Sequence, residues 1–495
     1  MPKLIIDNIT VEVDSGATVL EAAVKLGIEI PTMCFLRGYS ASTSCMVCVV
    51  KIEGQDTFSP SCGTIAKEGM RVETSTKEIN HARKVALELL LSDHVGDCVG
   101  PCQVICPAGM NIPLMIRQIK AGKLKDAIVT VKHDIALPAI LGRICPAPCE
   151  NGCRRASFDQ PVSICLLKRY VADIDLFSAL PYLPVCEPKK DKRIAIVGAG
   201  PAGLSAAYYL LQKGYACTIY EDHDKPGGML RYAVSRDKLP EEVLDKEIAV
   251  IEKLGAKFQG KTKIDSVKEL RKDFNAILIA AGRFKPVDRD LMGVFTITDT
   301  AAKQKLAVRA VAEGKKAAIA IDKFLSGLEI TGPQKKFNNR IGKLLENEID
   351  NFMLLADNSS RVLPLSKNEG FTESQAKQES ARCLHCDCRK TDNCKLREYS
   401  RKYQAGQNRY KSERNFFSQQ IQHPCIIYEP GKCIKCGLCI QIATKAKEKL
   451  GLTFIGRGFD VRVTVPFDKA LAEGLTHIGY KCVEACPTAA LAIKD

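Results

Sequence analysis

The chain has 495 residues, among them 23 cysteines, and carries a formal net charge of +15. That length allows three or four domains, and no apolar run reaches membrane-spanning length; MPKLIIDNIT lacks a signal-peptide pattern, so a soluble cytoplasmic chain that does not engage a membrane is expected. Clustered cysteines in that compartment argue for metal ligands over disulfides, while the positive charge serves solubility or the steering of an acidic protein partner equally well.

In chain order, residues 4–13 form two short alternating runs around Asp7-Asn8, which predicts a hairpin, and a helix pattern over 17–26 follows Asp14-Ser15-Gly16. Next come Cys34, Cys45, Cys48 and Cys62, spaced C-x10-C-x2-C-x13-C. Hairpin, helix and cysteine loop together resemble the β-grasp 2Fe-2S ferredoxin domain that opens the large iron-sulfur subunit of NADH:quinone oxidoreductases and iron-only hydrogenases. Four thiolates in such a loop suit two irons, with zinc as the alternative.

An amphipathic helix pattern over 81–91 leads into His94-x3-Cys98-x3-Cys102-x3-Cys106-Pro107, and the segment RICPAPCENGC then supplies Cys145, Cys149 and Cys153, followed by Cys165. This region resembles the helical double-cluster domain of the glutamate synthase small subunit and of dihydropyrimidine dehydrogenase. The resemblance implies one 4Fe-4S cluster on Cys98, Cys102 and Cys153 and another on Cys106, Cys145 and Cys149. Where the family supplies a further cysteine to the first, this chain offers His94 upstream, a neutral imidazole being an accepted alternative that raises the potential. Where the family often places Glu or Gln for the second, this chain has Lys168, so the fourth ligand is expected to be Cys165, three residues earlier on the same helix face.

After a Pro-rich basic linker over 180–193, the stretch RIAIVGAGPAGLSAAYYLLQKGYACTIYE reads as strand, glycine turn, helix, strand and acid. Gly198, Gly200, Pro201, Ala202 and Gly203 allow a tight turn and close backbone approach to a pyrophosphate at a helix N-terminus, and Glu221 stands where a ribose hydroxyl is accepted. Gly227, Gly228, Met229 and Arg231, in PGGMLR, resemble the motif that glutamate synthase small subunits place near FAD. Gly293-Val294-Phe295 with Asp299 resembles their closing FAD motif, with a last helix expected over 301–325. Only sixteen residues separate Gly282 from Asp299, and one βαβ unit needs about thirty. The NAD(P)H domain that the family inserts there has no room.

A polar connector over 329–375, with one amphipathic segment over 341–355, precedes Cys383, Cys386, Cys388 and Cys394 in a C-x2-C-x-C-x5-C module, for which a 4Fe-4S cluster and a zinc ion both remain open. The following KLREYSRKYQAGQNRYKSER mixes Lys, Arg and Tyr, yet without an RNA-binding motif it reads as a solvated face or subunit contact, not a nucleic-acid site. Last, Cys433, Cys436, Cys439 and Cys486-Pro487 follow the bacterial ferredoxin pattern for one 4Fe-4S cluster. Cys186, Cys217, Cys425 and Cys482 are left as small buried hydrophobes.

The expected fold class is multidomain α/β and α+β: a β-grasp 2Fe-2S ferredoxin (1–78), a helical double 4Fe-4S domain (79–180), a Rossmann-like FAD domain (190–328), a linker (329–375), the four-cysteine module (376–424) and a ferredoxin-like cluster domain (425–495). Over most of its length the chain resembles the iron-sulfur flavoprotein subunits of flavin-based electron-bifurcating complexes. That resemblance implies one 2Fe-2S cluster, three or four 4Fe-4S clusters and FAD. It implies as partners a flavin- and NAD(H)-binding subunit of the complex I diaphorase type, and ferredoxin or another electron-carrier protein. The motifs contain no nucleophile and base pair, so no catalytic residue is assigned. A self-contained NAD(P)H oxidoreductase of the glutamate synthase type and an assembly scaffold with a relic flavin fold are the alternatives.

Overall fold

Leu4, Ile6 and Val11 are buried between exposed neighbours, and this alternation sets strand β1 (Lys3–Ile6) against β2 (Ile9–Glu12). Asp7 and Asn8 both adopt positive φ (47° and 67°), the two-residue turn that matches strand twist. The structure is a computed structural model that describes every residue except 283–290, 298–305, 333–335, 365, 367, 391, 411–412 and 495. The chain divides into two units, neither continuous in sequence: Met1–Val99 with Lys336–Leu354 and Cys386–Asp495, and Gly100–Lys335 with Leu355–His385. The serial domains expected from the sequence are thus regrouped. The C-terminal cluster region folds with the N-terminal ferredoxin domain, and both the connector and the four-cysteine module are split between units.

In the first unit, β3 (Val49–Ile52), β4 (Phe58–Pro60) and β5 (Arg71–Glu73) complete a mixed sheet of order β2-β1-β5-β3-β4, with β1 parallel to β5. Helix Val19–Lys25 begins in a capping box of Thr18 and Glu21 and buries Val19, Leu20, Ala22 and Ala23 in the sheet's core. This is the expected β-grasp arrangement. Helix Lys77–Ser92 is then anchored by buried Arg83, which donates to the carbonyls of Val49 and Thr74 at 2.9 Å each. It delivers the chain to the loop bearing His94 and Cys98. Later in the unit, strand Ile426–Tyr428 pairs antiparallel with Leu491–Ile493, and helices Leu438–Lys445 and Gly479–Ala485 pack together beside them.

The second unit carries a five-stranded parallel sheet of β6 (Arg193–Val197), β7 (Ala216–Tyr220), β8 (Lys257–Gln259), β9 (Ala276–Ile279) and β10 (Val294–Thr296), ordered β10-β9-β6-β7-β8. That is the doubly wound order of a dinucleotide fold. Helix Ala307–Leu325 lies so close to helix Pro201–Gln212 that a Cβ on Gly314 would sit 2.2 Å from the Ala202 carbonyl, while residues 301–305 of the expected helix lie outside the described residues. Asp299 of the closing motif lies outside the described residues. The cluster-bearing helices between Ile112 and Leu176 share one apolar core with the Rossmann layer, despite the Pro-rich linker between them. Glu247 of helix Glu241–Lys253 seals that join by accepting the N–H groups of Ala139 (2.9 Å) and Ile140 (3.1 Å).

Candidate iron–sulfur and nucleotide sites

Cys34, Cys45, Cys48 and Cys62 are all buried in the loops that flank β3 and β4. The Ser61 hydroxyl donates to the Cys48 carbonyl (2.8 Å), which brings the sulfurs of Cys48 and Cys62 to 3.4 Å. Hydrogen bonds from Cys45 and then Cys62 hold the Cys34 thiol far below the ordinary thiol range. Four cysteines buried together in this way fit a 2Fe-2S cluster.

In the second unit, Cys106, Cys145, Cys149 and Cys165 line a cavity of about 330 Å³ whose other walls include Pro107, Ile112 and Ile164. The structure therefore brings together the four thiols expected for the second cluster, Cys165 included. The Cys165 amide donates to Glu150 (3.0 Å), itself paired with Arg361 at 2.5 Å, and this fixes the start of helix Ile164–Leu176. A hydrogen bond from Cys165 holds Cys145 down to about 6, and burial pushes Cys149 up to about 12. Lys168 lines the same cavity and is 5% exposed; burial opposes its charge, and the surrounding thiolates of Cys165, Cys145, Cys149 and Cys106 outweigh that and raise its pKa.

The donor set fits a cubane cluster, with Lys168 as a counter-charge. Removing it in Lys168→Met is expected to lower the midpoint potential of one 4Fe-4S centre by on the order of 100 mV, the size of one unit charge a few ångströms away at an effective dielectric of about 20. Spectroelectrochemistry of the loaded chain measures this, and an unchanged set of potentials would refute the role.

Cys433, Cys436, Cys439 and Cys486 line a second cavity, of about 360 Å³, with Tyr428, Leu438, Val463 and Leu491 around it. Lys435 and Gly437 adopt positive φ (54° and 74°) so that the loop curls, and the Lys435 amide donates to the Cys433 sulfur (3.4 Å). This set also fits a 4Fe-4S cluster. Cys482 is buried, its sulfur 3.7 Å from the Cys439 carbonyl, and does not line the cavity. Cys217 is buried in β7, Cys425 is partly buried, and Cys186 is exposed, against the expectation of a buried role for it, because it sits in the linker with Pro and charged residues.

The remaining ligand candidates fall in both units. Cys98 lies in the first unit, beside Cys388 and Cys394, whereas Cys102 and Cys153 lie in the second. Helix Pro101–Ile105, which bears Cys102, packs on helix Pro148–Asn151 just before Cys153. Cys383 belongs to the second unit and Cys386 to the first, so the four-cysteine motif is divided. Next to Cys153 and Cys383 run two fully buried arginines. Arg155 pairs with Asp159 (2.6 Å) and donates to the carbonyls of Asp357 (2.7 Å) and Arg382 (3.1 Å); Arg382 pairs with Glu379 (2.8 Å) and Asp159 (2.9 Å).

At the nucleotide fold, Gly198 has φ 106°, and a Cβ on Gly203 would lie 2.0 Å from the Gly198 carbonyl, so both glycines are required by the strand-to-helix contact. The Gly227 amide donates to the Ala199 carbonyl (3.0 Å), and a Cβ on Gly228 would meet the Gly200 Cα at 2.9 Å. The two glycine motifs are thus held together, leaving the N-terminus of helix Pro201–Gln212 as the anion-facing end. One Glu221 oxygen accepts the Ala199 amide (2.9 Å), and the other is 3.0 Å from the His223 ring. Met229 is exposed. Arg231 is occupied structurally: it donates to the Pro226 carbonyl (2.7 Å) and pairs with Glu241 (2.7 Å) and with Asp245.

These geometries describe a multidomain iron-sulfur protein with a dinucleotide fold, and comparison with known proteins agrees. Residues 3–77 match the 2Fe-2S iron-sulfur cluster binding domain, residues 91–178 the dihydropyrimidine dehydrogenase domain II 4Fe-4S cluster family, and residues 196–257 the NAD(P)-binding Rossmann-like domain. The chain thus joins a 2Fe-2S domain, a 4Fe-4S domain and a Rossmann-like domain in that order. It is 39% identical over 196 residues to the NADPH-Fe(3+) oxidoreductase subunit beta of Geobacter sulfurreducens, covering 38% of this chain and 29% of that one. It is 35% identical over 206 residues to the NADP(+)-dependent formate dehydrogenase subunit beta of Moorella thermoacetica (37% and 29% covered). To the NAD-dependent dihydropyrimidine dehydrogenase subunit PreT of Salmonella typhimurium it is 36% identical over 188 residues (37% and 45% covered). The match spans less than half the length of each relative. No helix among the described residues is long and apolar enough to cross a membrane.

Proposed function

We propose that this chain is the electron-relay subunit of a multi-subunit, flavin-based electron-bifurcating oxidoreductase. It moves single electrons between a partner that binds flavin and NAD(H) and a further acceptor such as ferredoxin. Its bound groups are a 2Fe-2S cluster on Cys34, Cys45, Cys48 and Cys62, a 4Fe-4S cluster on Cys106, Cys145, Cys149 and Cys165, a 4Fe-4S cluster on Cys433, Cys436, Cys439 and Cys486, and FAD in the Rossmann fold. When bound, such clusters exchange one electron at a time and the flavin exchanges one or two. The chain's own part is to space and shield these groups. The first helical turn after Gly200 would hold the FAD pyrophosphate, with Gly227 and Gly228 bracing that loop, and Glu221 would hold the ribose.

One observation carries the reading. Cys34 and Cys45 of the first cysteine set, Cys394, and Cys436 of the C-terminal set are buried in a single apolar core with Met33, Leu87, Leu91 and Leu438. Ser42, between Cys34 and Cys45 in sequence, donates to the Cys436 carbonyl at 2.7 Å. Thiols of separate clusters in one apolar core suit rapid tunnelling, which falls steeply with distance. The reading predicts magnetic coupling: in the fully reduced chain the 2Fe-2S EPR signal should be split or broadened, and Cys436→Ala should restore its simple form. A 2Fe-2S signal identical in both proteins would contradict the relay.

A further inference from the structure

We infer that Cys98, Cys388 and Cys394, with His94, form an additional 4Fe-4S site in the first unit, assembled from stretches nearly three hundred residues apart. The inference rests on the relay reading above and extends it by one cluster.

The backbone makes the site. The Cys388 amide donates to the Cys98 carbonyl (3.4 Å), the Cys98 amide to the Asn339 carbonyl (3.1 Å), and the Asn339 amide to the Cys98 sulfur (3.4 Å). An N–H···S bond of that kind is one way a protein tunes an iron-sulfur centre. The loop from His94 to Val99 is clasped from two sides. The Asn339 side chain donates to the carbonyls of Gly96 (2.7 Å) and His94 (3.3 Å), the Ile341 amide donates to the Asp97 carboxylate (2.9 Å), and the Val95 amide donates to the Gly431 carbonyl (2.7 Å). Gly96 leaves no room for a side chain, because a Cβ there would meet Lys432 Cε at 2.5 Å. Much fixed structure surrounds three thiols that are each 8% exposed or less.

The donor chemistry follows. Cys98, Cys388 and Cys394 are all buried, and Cys394 lies in an apolar core with Met33, Leu87 and Leu91. A buried thiol is tolerated as a small hydrophobe, but as ligands the three would be thiolates, whose buried charge only a cation can balance. His94 offers what a fourth ligand needs: its Nδ1 is buried with no hydrogen-bond partner. Lys432, 3% exposed and paired with Glu429 at 2.6 Å, stands near His94, Cys98 and Cys388 and supplies a balancing positive charge.

The alternative of a single zinc ion fits less well. Zinc-bound sulfurs lie about 3.8 Å apart, given Zn–S bonds of about 2.3 Å in a tetrahedron. Among the described residues, the one set of three His, Cys or carboxylate donors within 4.8 Å of one another is Glu221, Asp222 and His223. No three of His94, Cys98, Cys388 and Cys394 are gathered that tightly. Cys394 shares its apolar core with Cys34, Cys45 and Cys436, so the added cluster lies in the same core as the 2Fe-2S and C-terminal centres.

The test uses the full chain, loaded with iron and sulfide under anaerobic conditions, comparing wild type with the double variant Cys388→Ala/Cys394→Ala and with His94→Cys. The double variant is expected to lose about four irons per chain and one 4Fe-4S EPR signal, while the 2Fe-2S signal persists. His94→Cys is expected to keep the iron count and shift one 4Fe-4S centre to lower potential, because thiolate adds negative charge that imidazole does not. Unchanged iron in the double variant, or loss of one zinc in place of iron, overturns the site. Should the double variant fail to fold, His94→Cys decides alone, and potentials identical to wild type overturn it. A wild-type chain without any 2Fe-2S signal would instead bring down the relay reading itself.

Discussion

Arg382→Ala is expected to destabilise the second unit by about 3–5 kcal/mol, the range found when one partner of a buried ion pair is removed. Arg382 is fully buried, and its guanidinium reaches the carboxylates of Glu379 and Asp159 and the carbonyls of Ser359 and Gln160. Glu379 is also fully buried and accepts the amides of Ser163 and Val362 at 2.7 Å each. Truncating the arginine leaves that carboxylate charged and without its counter-ion, and it releases the segment carrying Cys383 from the loop after Cys153. The denaturation midpoint of the loaded chain should fall, and protease cleavage within 355–385 should quicken. Arg382→Lys should recover only part of the loss, since an ammonium cannot reproduce a planar fork with four acceptors. A change below about 1 kcal/mol would mean that the network contributes no more than surface pairs do.

The parts of the molecule that were legible in the sequence are those whose signal is local. The strand, glycine turn and helix around Gly198 to Gly203, the KCIKCGLC loop and the β-grasp hairpin each carry their geometry within a few dozen residues. The grouping of Cys98 with Cys388 and Cys394 does not, because it depends on the clamp of Asn339 and on Gly431 and Lys432, which no spacing rule connects. The division of the C-x2-C-x-C-x5-C motif between two units was hidden for the same reason: a compact motif reads as one site until the chain is seen to pass from one core to another between Cys383 and Cys386. Arg231 stood beside a glycine motif in sequence, but its ion pairs with Glu241 and Asp245 come from a helix whose docking position the sequence does not specify. The resemblance pointed to position 168, where a lysine stands, and helix periodicity then offered Cys165 on the same face; that both line one cavity with Cys106, Cys145 and Cys149 became visible only in the structure.

The second large effect concerns nicotinamide. A flavin takes a hydride only from a nicotinamide held against its ring, and that normally requires a nucleotide-binding unit of its own. The parallel sheet described here is a single dinucleotide fold, and the sixteen residues from Gly282 to Asp299 are about half of what another βαβ unit needs. With FAD in that one fold, this chain should be a conduit for electrons that other subunits take from nicotinamide. Anaerobic stopped-flow spectroscopy of the isolated chain, loaded with FAD and clusters, tests this most directly. A one-electron donor such as dithionite should bleach flavin and clusters, whereas NADH and NADPH should leave the flavin oxidised on the timescale of seconds. Rapid bleaching of the isolated chain by either nucleotide would contradict the relay account and identify a self-contained NAD(P)H oxidoreductase.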